Sequence, residues 1–302
     1  MTSNSYADNP DNYCYRHRDR QSFVLCQRCT RTICPDCQTQ ASVGFICPEC
    51  MKEQRKNRTP AQKRAARRWG RGAGGSVASS FGSSSTRVMT TLFIVTAVVY
   101  LTQMLGRVVP GLDVQAWLLF WPPYLYPDVT ATFQPWRVLT AAFVHSGFWH
   151  VALNMLALWM VGRSLEPLLG AWRFLTTYLL SAAGGSAAVA VLAFSTPVVG
   201  ASGAIFGLFG ALLVVGRHLG ANMTGIYVVL GINLVIGFIP GMNIAWQAHL
   251  GGLIVGAAVG FILTRTRRPS QRRMQIGLLC LVGAVVAAAF LVPPLTGYLT
   301  LT

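Results

Sequence analysis

Carboxylates are what this chain has least of: nine Asp and Glu stand among 302 residues, against 25 Lys and Arg. Glu166 lies at the inner end of an apolar segment, and Asp113 and Asp128 fall in a loop. That scarcity removes the intramembrane acids on which proton-coupled carriers often depend. It also leaves no Asp placed to complete a Ser-His-Asp triad. Cysteine nearly vanishes after residue 50, where Cys280 stands alone as an apolar filler, so no disulfide framework holds the rest of the chain. Residues 1–30 lack the apolar stretch of a secretory signal, and the N-terminus is therefore expected to stay on the side of the membrane where it is made.

What the chain has instead is apolar length. It is 53% hydrophobic, only 11% charged, and carries a net charge of +16, the profile of a polytopic membrane protein with a basic appendage. Seven apolar segments are read as helices: 88–105, 150–165, 174–194, 202–216, 223–239, 245–264 and 276–292. With a cytoplasmic N-terminus, the inward loops hold Arg163, Arg173, Arg217, Arg265, Arg267, Arg268, Arg272 and Arg273, and the outward ones only Arg107 and Arg137. This bias obeys the positive-inside rule and predicts an integral, multi-pass protein of the cell membrane. The stretch 107–147 is dense in Trp, Tyr, Phe and Pro, a composition that predicts a loop structure lying partly in the outer leaflet.

Ahead of the spans the composition changes. Residues 1–13 read as a disordered tail, 14–51 as a metal-binding domain, and 52–87 as a linker that is first basic, then rich in Gly and Ser. The pairs Cys14-x-x-His17, Cys26-x-x-Cys29, Cys34-x-x-Cys37 and Cys47-x-x-Cys50 supply eight ligands, enough for two closed structural zinc sites. A cluster of redox thiols would leave His17 unexplained. The spacing resembles the B-box type of zinc-binding domain, and that resemblance implies Cys14, His17, Cys34 and Cys37 on one ion and Cys26, Cys29, Cys47 and Cys50 on the other. Spacing alone also accommodates a tandem pairing. A domain of this size has little core, so bound metal would supply its folding energy. Its expected partner is a cytoplasmic protein; nucleic acid is not expected, since the basic residues adjoin the first span, where they read as a topology signal or a contact with anionic lipid.

The chemistry is expected at Ser202. From there the fourth apolar run extends to 216, roughly 22 Å as a helix against a hydrocarbon core of about 30 Å. Arg217 and His218 mark its inner end, so the end bearing Ser202 is sunk below the outer surface. His150 and Asn154, four residues apart on one helix face, and His249 belong to the same depth. Each alone reads equally well as an interhelical hydrogen bond; four at one level point to an interior site. Gly203 and Gly207, with Gly252, Gly256 and Gly260, form small-residue faces that let two helices approach closely. Such a pair would bring Ser202 Oγ within reach of a general base, His249, while His150, Asn154 and the first helix amides could donate to an oxyanion.

Taken in order, Trp136-Arg137, His150-x-x-x-Asn154, Gly200-Ala201-Ser202-Gly203 and Ala248-His249-x-x-Gly252-x-x-x-Gly256 resemble the rhomboid family of intramembrane serine proteases. The resemblance covers roughly 88–264. It implies an all-α catalytic bundle of six helices, to which 265–302 adds a seventh transmembrane helix and tail. It further implies hydrolysis of peptide bonds in transmembrane protein substrates within the lipid bilayer. Ser202 would be nucleophile and His249 general base, with His150 and Asn154 stabilising the oxyanion; no cofactor is implied for catalysis. The competing reading is an inactive relative that binds membrane segments and recruits partners through its zinc domain.

Overall fold

Backbone that enters a membrane must satisfy its own hydrogen bonds, and this chain does so almost wholly with helices. The computed structural model describes residues 10–40, 45–57, 86–237, 239 and 244–296. Most of the expected disordered tail, at 1–9, and of the basic and Gly/Ser-rich linker, at 58–85, lies outside the described residues, as does residue 238 of the predicted fifth span. Two compact units emerge, Met1–Gly75 and Ser76–Thr302.

The first unit is assembled around its cysteines. A two-residue hairpin pairs β1 (Thr39–Gln40) with β2 (Phe45–Ile46) in antiparallel register, Thr39 opposite Ile46. Helix α1 (Pro48–Lys56) follows, with Pro at its first position and the Cys47 sulfur accepting the Cys50 N–H in the manner of an N-cap. Its interior is little more than Ile33 and Ile46 among buried thiols.

The second unit is helical: α2 (Arg87–Gly106), α3 (Phe148–Leu169), α4 (Ala171–Leu192), α5 (Ser202–His218), α6 (Thr224–Gly237), α7 (Trp246–Arg265) and α8 (Arg272–Ala289). By length and composition α2, α4, α7 and the stretch Pro269–Ala289 can each cross a membrane, and α3 makes a fifth span when joined across a 96° bend to Arg137–Phe143. Helices α5 and α6 are shorter. All seven predicted segments are thus helical, with ends displaced by a few residues. α5 is apolar on every side and is accordingly central, burying Gly203 through Ala211 without a break. Around it the core holds Met89, Leu158, Leu165, Phe174, Tyr178 and Leu208. Large side chains such as Val98, Leu101, Phe261, Leu281 and Val285 point outward, as the lipid-facing surface of a multi-pass bundle requires.

Two buried polar groups fasten the bundle. Glu166 on α3 accepts the N–H groups of Val88 at 2.9 Å and Met89 at 2.8 Å, capping the first turn of α2 where free amides and the helix dipole favour an anion. On α8, Gln275 donates to the Thr266 carbonyl at 2.8 Å and accepts from Arg173 Nε on α4 at 2.8 Å, so the added C-terminal helix docks by a polar latch as well as by packing.

The aromatic connection between α2 and α3 is a folded loop with short helices at Val114–Leu118, Pro127–Thr130 and Arg137–Thr140. Asp113 caps the first of these through Ala116 N–H. Buried Arg137 lies 4.4 Å over the Tyr124 ring and donates to the carbonyls of Ala116 and Leu119 at 2.6 and 2.8 Å, closing the loop on itself.

Candidate active site and metal centre

The α5–α7 contact sets the geometry. A Cβ placed on Gly252 would collide with the Gly203 carbonyl, and one on Gly256 with that of Gly207, so the two backbones touch where Ser202 and His249 sit at their helix starts. Phe206 follows Ser202 by four residues and therefore shares its face of α5. The His249 ring lies flat on Phe206, with centroids 4.1 Å apart and planes 9° from parallel, and is buried. Its Nδ1 has no hydrogen-bond partner among the described residues. Among the described residues no hydrogen bond joins Ser202 Oγ to His249. Catalytic hydrogen bonds are often long in the free enzyme and tighten on substrate binding.

Backbone ahead of Ser202 is irregular yet satisfied. Phe120 and Val198 exchange hydrogen bonds at 3.0 and 2.7 Å, Trp121 Nε1 donates to the Ser195 carbonyl at 3.2 Å, and Gly200 N–H reaches the Ala141 carbonyl at 2.9 Å. Gly200 adopts φ of +117°, a conformation that side chains resist, and it faces the His150 ring, where any Cβ would intrude. The Ala201 N–H points at His145 Nε2, 3.4 Å away. The next amides begin α5 and have no intrahelical acceptor.

A cavity of about 1180 Å³ opens here, lined by Ser202, His249, His150, Asn154, Trp149 and Trp246 among others. The four residues expected to form the site are therefore brought to one cavity. Asn154 is buried, and its Nδ2 donates to the His150 carbonyl at 2.8 Å within α3. Among the described residues no carboxylate lines the cavity. Two residues not expected here take part in its support: His145, fully buried, and Gln103 of α2, which accepts the His145 N–H at 3.1 Å and donates to its carbonyl at 3.1 Å. Only the position of Gln103 inside an apolar span could have flagged it in the sequence. A hydroxyl at a helix start, an imidazole over the same helix face and hydrogen-bond donors across the cavity are groups that acyl transfer can use.

In the first unit the eight expected ligands gather as two sets, Cys14, His17, Cys34 and Cys37, and Cys26, Cys29, Cys47 and Cys50, the donor atoms of each within 4.8 Å of one another. These are the interleaved pairs. His17 Nδ1 stands 3.3, 3.4 and 3.9 Å from the sulfurs of Cys34, Cys37 and Cys14, and Cys29 Sγ is 3.7 Å from Cys47 Sγ. A tetrahedral zinc with Zn–S of about 2.3 Å sets sulfur-sulfur edges near 3.8 Å, so both sets fit such an ion. Burial pushes the Cys37 thiol up to about 11, with Cys14 and Cys34 beside it adding to the rise. Cys14 is also raised by burial, but amide donation from Cys34, Arg16 and His17 outweighs this and holds it near 6. A cation between the sulfurs would favour the thiolate at all of them.

Comparison with known proteins gives the same direction. Residues 132–266 match the family model described as the Rhomboid domain. Over 130 residues the chain is 46% identical to rhomboid protease GluP of Bacillus subtilis, spanning 40% of this chain and 24% of that protein. It is 36% identical over 138 residues to the mitochondrial RHOMBOID-like protein 6 of Arabidopsis thaliana, and 33% identical over 159 residues to mitochondrial Rhomboid protein 1 of Saccharomyces cerevisiae. Those matches span 43% and 46% of this chain and 44% and 45% of the relatives. The chain thus spans less than half the length of each of these relatives.

Proposed function

From the rhomboid domain that this chain carries over residues 132–266, we propose that it is an intramembrane serine endopeptidase acting through a Ser202–His249 dyad. The observation that carries the reading is the direct backbone contact of α5 and α7, which sets the nucleophile and the imidazole on one cavity with His150 and Asn154. His249 takes the Ser202 hydroxyl proton as Oγ attacks the scissile carbonyl. The carbonyl oxygen, now an anion, meets His150 Nε2–H, the Asn154 amide and the free amides at the start of α5. Collapse of the tetrahedral intermediate breaks the C–N bond, and His249 returns the proton to the departing amine. Water, activated by the same imidazole, then releases the acyl group and restores Ser202. Asn154 must turn its amide from the His150 carbonyl toward the cavity to take part. No acid orients the base; stacking on Phe206 and the fit of α7 against α5 do so instead.

Substrates are single-span membrane proteins, cut near the outer interface, because Ser202 begins a helix too short to reach both surfaces. Positive-inside bias supports a cytoplasmic N-terminus and a cell-membrane location. The eight ligands hold two structural zinc ions in a B-box-like domain that engages a cytoplasmic protein. Reconstituted protein should cleave a single-span test substrate, and Ser202→Ala should not. Binding of the substrate without cleavage by the native chain would favour an inactive membrane-segment binder instead.

A further inference from the structure

His150 enters the cavity with its two ring nitrogens in different surroundings. Nδ1 faces Ser146, whose hydroxyl lies 2.9 Å away and whose backbone N–H points at the same atom from 3.4 Å. The other edge faces Gly200, where a Cβ would stand 2.7 Å from both Cε1 and Nε2. A backbone N–H can only donate, so Nδ1 must present its lone pair. In a neutral ring the proton then resides on Nε2, directed toward the turn that carries Ser202. The His145 ring, edge-on to that of His150 with centroids 5.0 Å apart, accepts the Ala201 N–H, so the pair of rings touches the two backbone residues immediately ahead of Ser202.

We propose that Ser146 is a positioning residue for the oxyanion site: hydroxyl and amide together hold His150 in the Nε2–H tautomer, keeping its one hydrogen on the cavity side. The inference rests on the protease reading of Ser202. Without the hydroxyl, the ring keeps only the long amide contact and its Nδ1–H tautomer becomes accessible, in which Nε2 offers a lone pair to a developing negative charge. Ser146 is exposed and its bond competes with water, so the loss is moderate, about three- to tenfold, the range of one ordinary hydrogen bond.

The test uses the full chain in bicelles, labelled with nitrogen-15 at its five histidines, with His150 assigned by difference from His150→Gln. The expected spectrum has His150 protonated at Nε2 and bare at Nδ1 in the native protein and in Ser146→Thr, and a mixture of tautomers in Ser146→Ala. In parallel, Ser146→Ala should lower kcat three- to tenfold with little change in KM, and Ser146→Thr should restore it. A native His150 protonated at Nδ1 would overturn the proposal, as would a Ser146→Ala protein with unchanged spectrum and kcat. Should the native chain cleave nothing, the reading of Ser202 fails on its own, and the spectra still decide whether Ser146 sets the tautomer. If Ser146→Ala does not fold, the native and Ser146→Thr spectra decide.

Discussion

Gly252→Ala puts the smallest possible wedge between α5 and α7 at the level of Ser202 and His249. The added methyl would stand 2.7 Å from the Gly203 carbonyl carbon and 3.2 Å from its Cα, with the carbonyl oxygen closer still. Carbon atoms rest at about 3.5–4.0 Å, so the helices must part by about 1 Å or tilt. The contacted atoms are backbone and cannot turn aside. Overpacking of this kind costs about 1–3 kcal/mol of stability. Activity should suffer more, since Gly203 follows Ser202 directly and Gly252 lies one turn from His249; a misplacement near 1 Å costs about a hundredfold in rate. Gly277→Ala on α8, where a Cβ meets nothing within 4 Å, is the matched control. Turnover of a fluorogenic single-span substrate and thermal unfolding in detergent should be measured on both. Near-native turnover by a correctly folded Gly252→Ala protein would show that the helix contact does not set the distance from nucleophile to base.

Glu166→Gln leaves an amide group facing one of the two N–H donors that the carboxylate accepts, and should cost about 1–3 kcal/mol in thermal unfolding while turnover below the transition stays near native; an unchanged melting temperature would deny the cap. Metal analysis of the full chain should find two zinc per molecule, and Cys29→Ser should lose one; a native ratio near one would contradict the two ligand sets. Substrates whose outer half carries Gly, Pro or small residues should be cut faster than versions with Leu there, since the helix must unwind before its carbonyls are exposed; cuts mapped by mass spectrometry to the cytoplasmic end would refute the placement of Ser202.

The candidate site was legible in the sequence because it breaks a pattern. Ser202, His150, Asn154 and His249 are polar groups in apolar segments that line one cavity, and the glycines of α5 and α7 announce a close helix pair. Helix ends were read less well: α3 runs on past Leu165 to Leu169, since Glu166 is buried there against the amides of α2 rather than lying at a free polar end. That partnership joins residues 77 or 78 apart and leaves no local signal. Gln103 was marked only by its place inside an apolar span, and His145, read as packing or capping near the start of the second span, showed no partner until the fold brought Gln103 to it. The short helices between α2 and α3 were missed as elements: Asp113 and Pro127 mark the starts of the first two, nothing local marks the third, and buried Arg137 with Thr140 ties the loop back to the carbonyls of Ala116, Leu118 and Leu119.

The central claim is that His249 activates Ser202, and the most direct measurement is covalent labelling by a serine-reactive fluorophosphonate, located by peptide mass spectrometry. The native chain should take up close to one label per molecule, on Ser202, while Ser202→Ala takes up none and His249→Ala reacts at no more than a trace of the native rate. A label found on another serine, or His249→Ala labelling as fast as the native protein, would contradict the account.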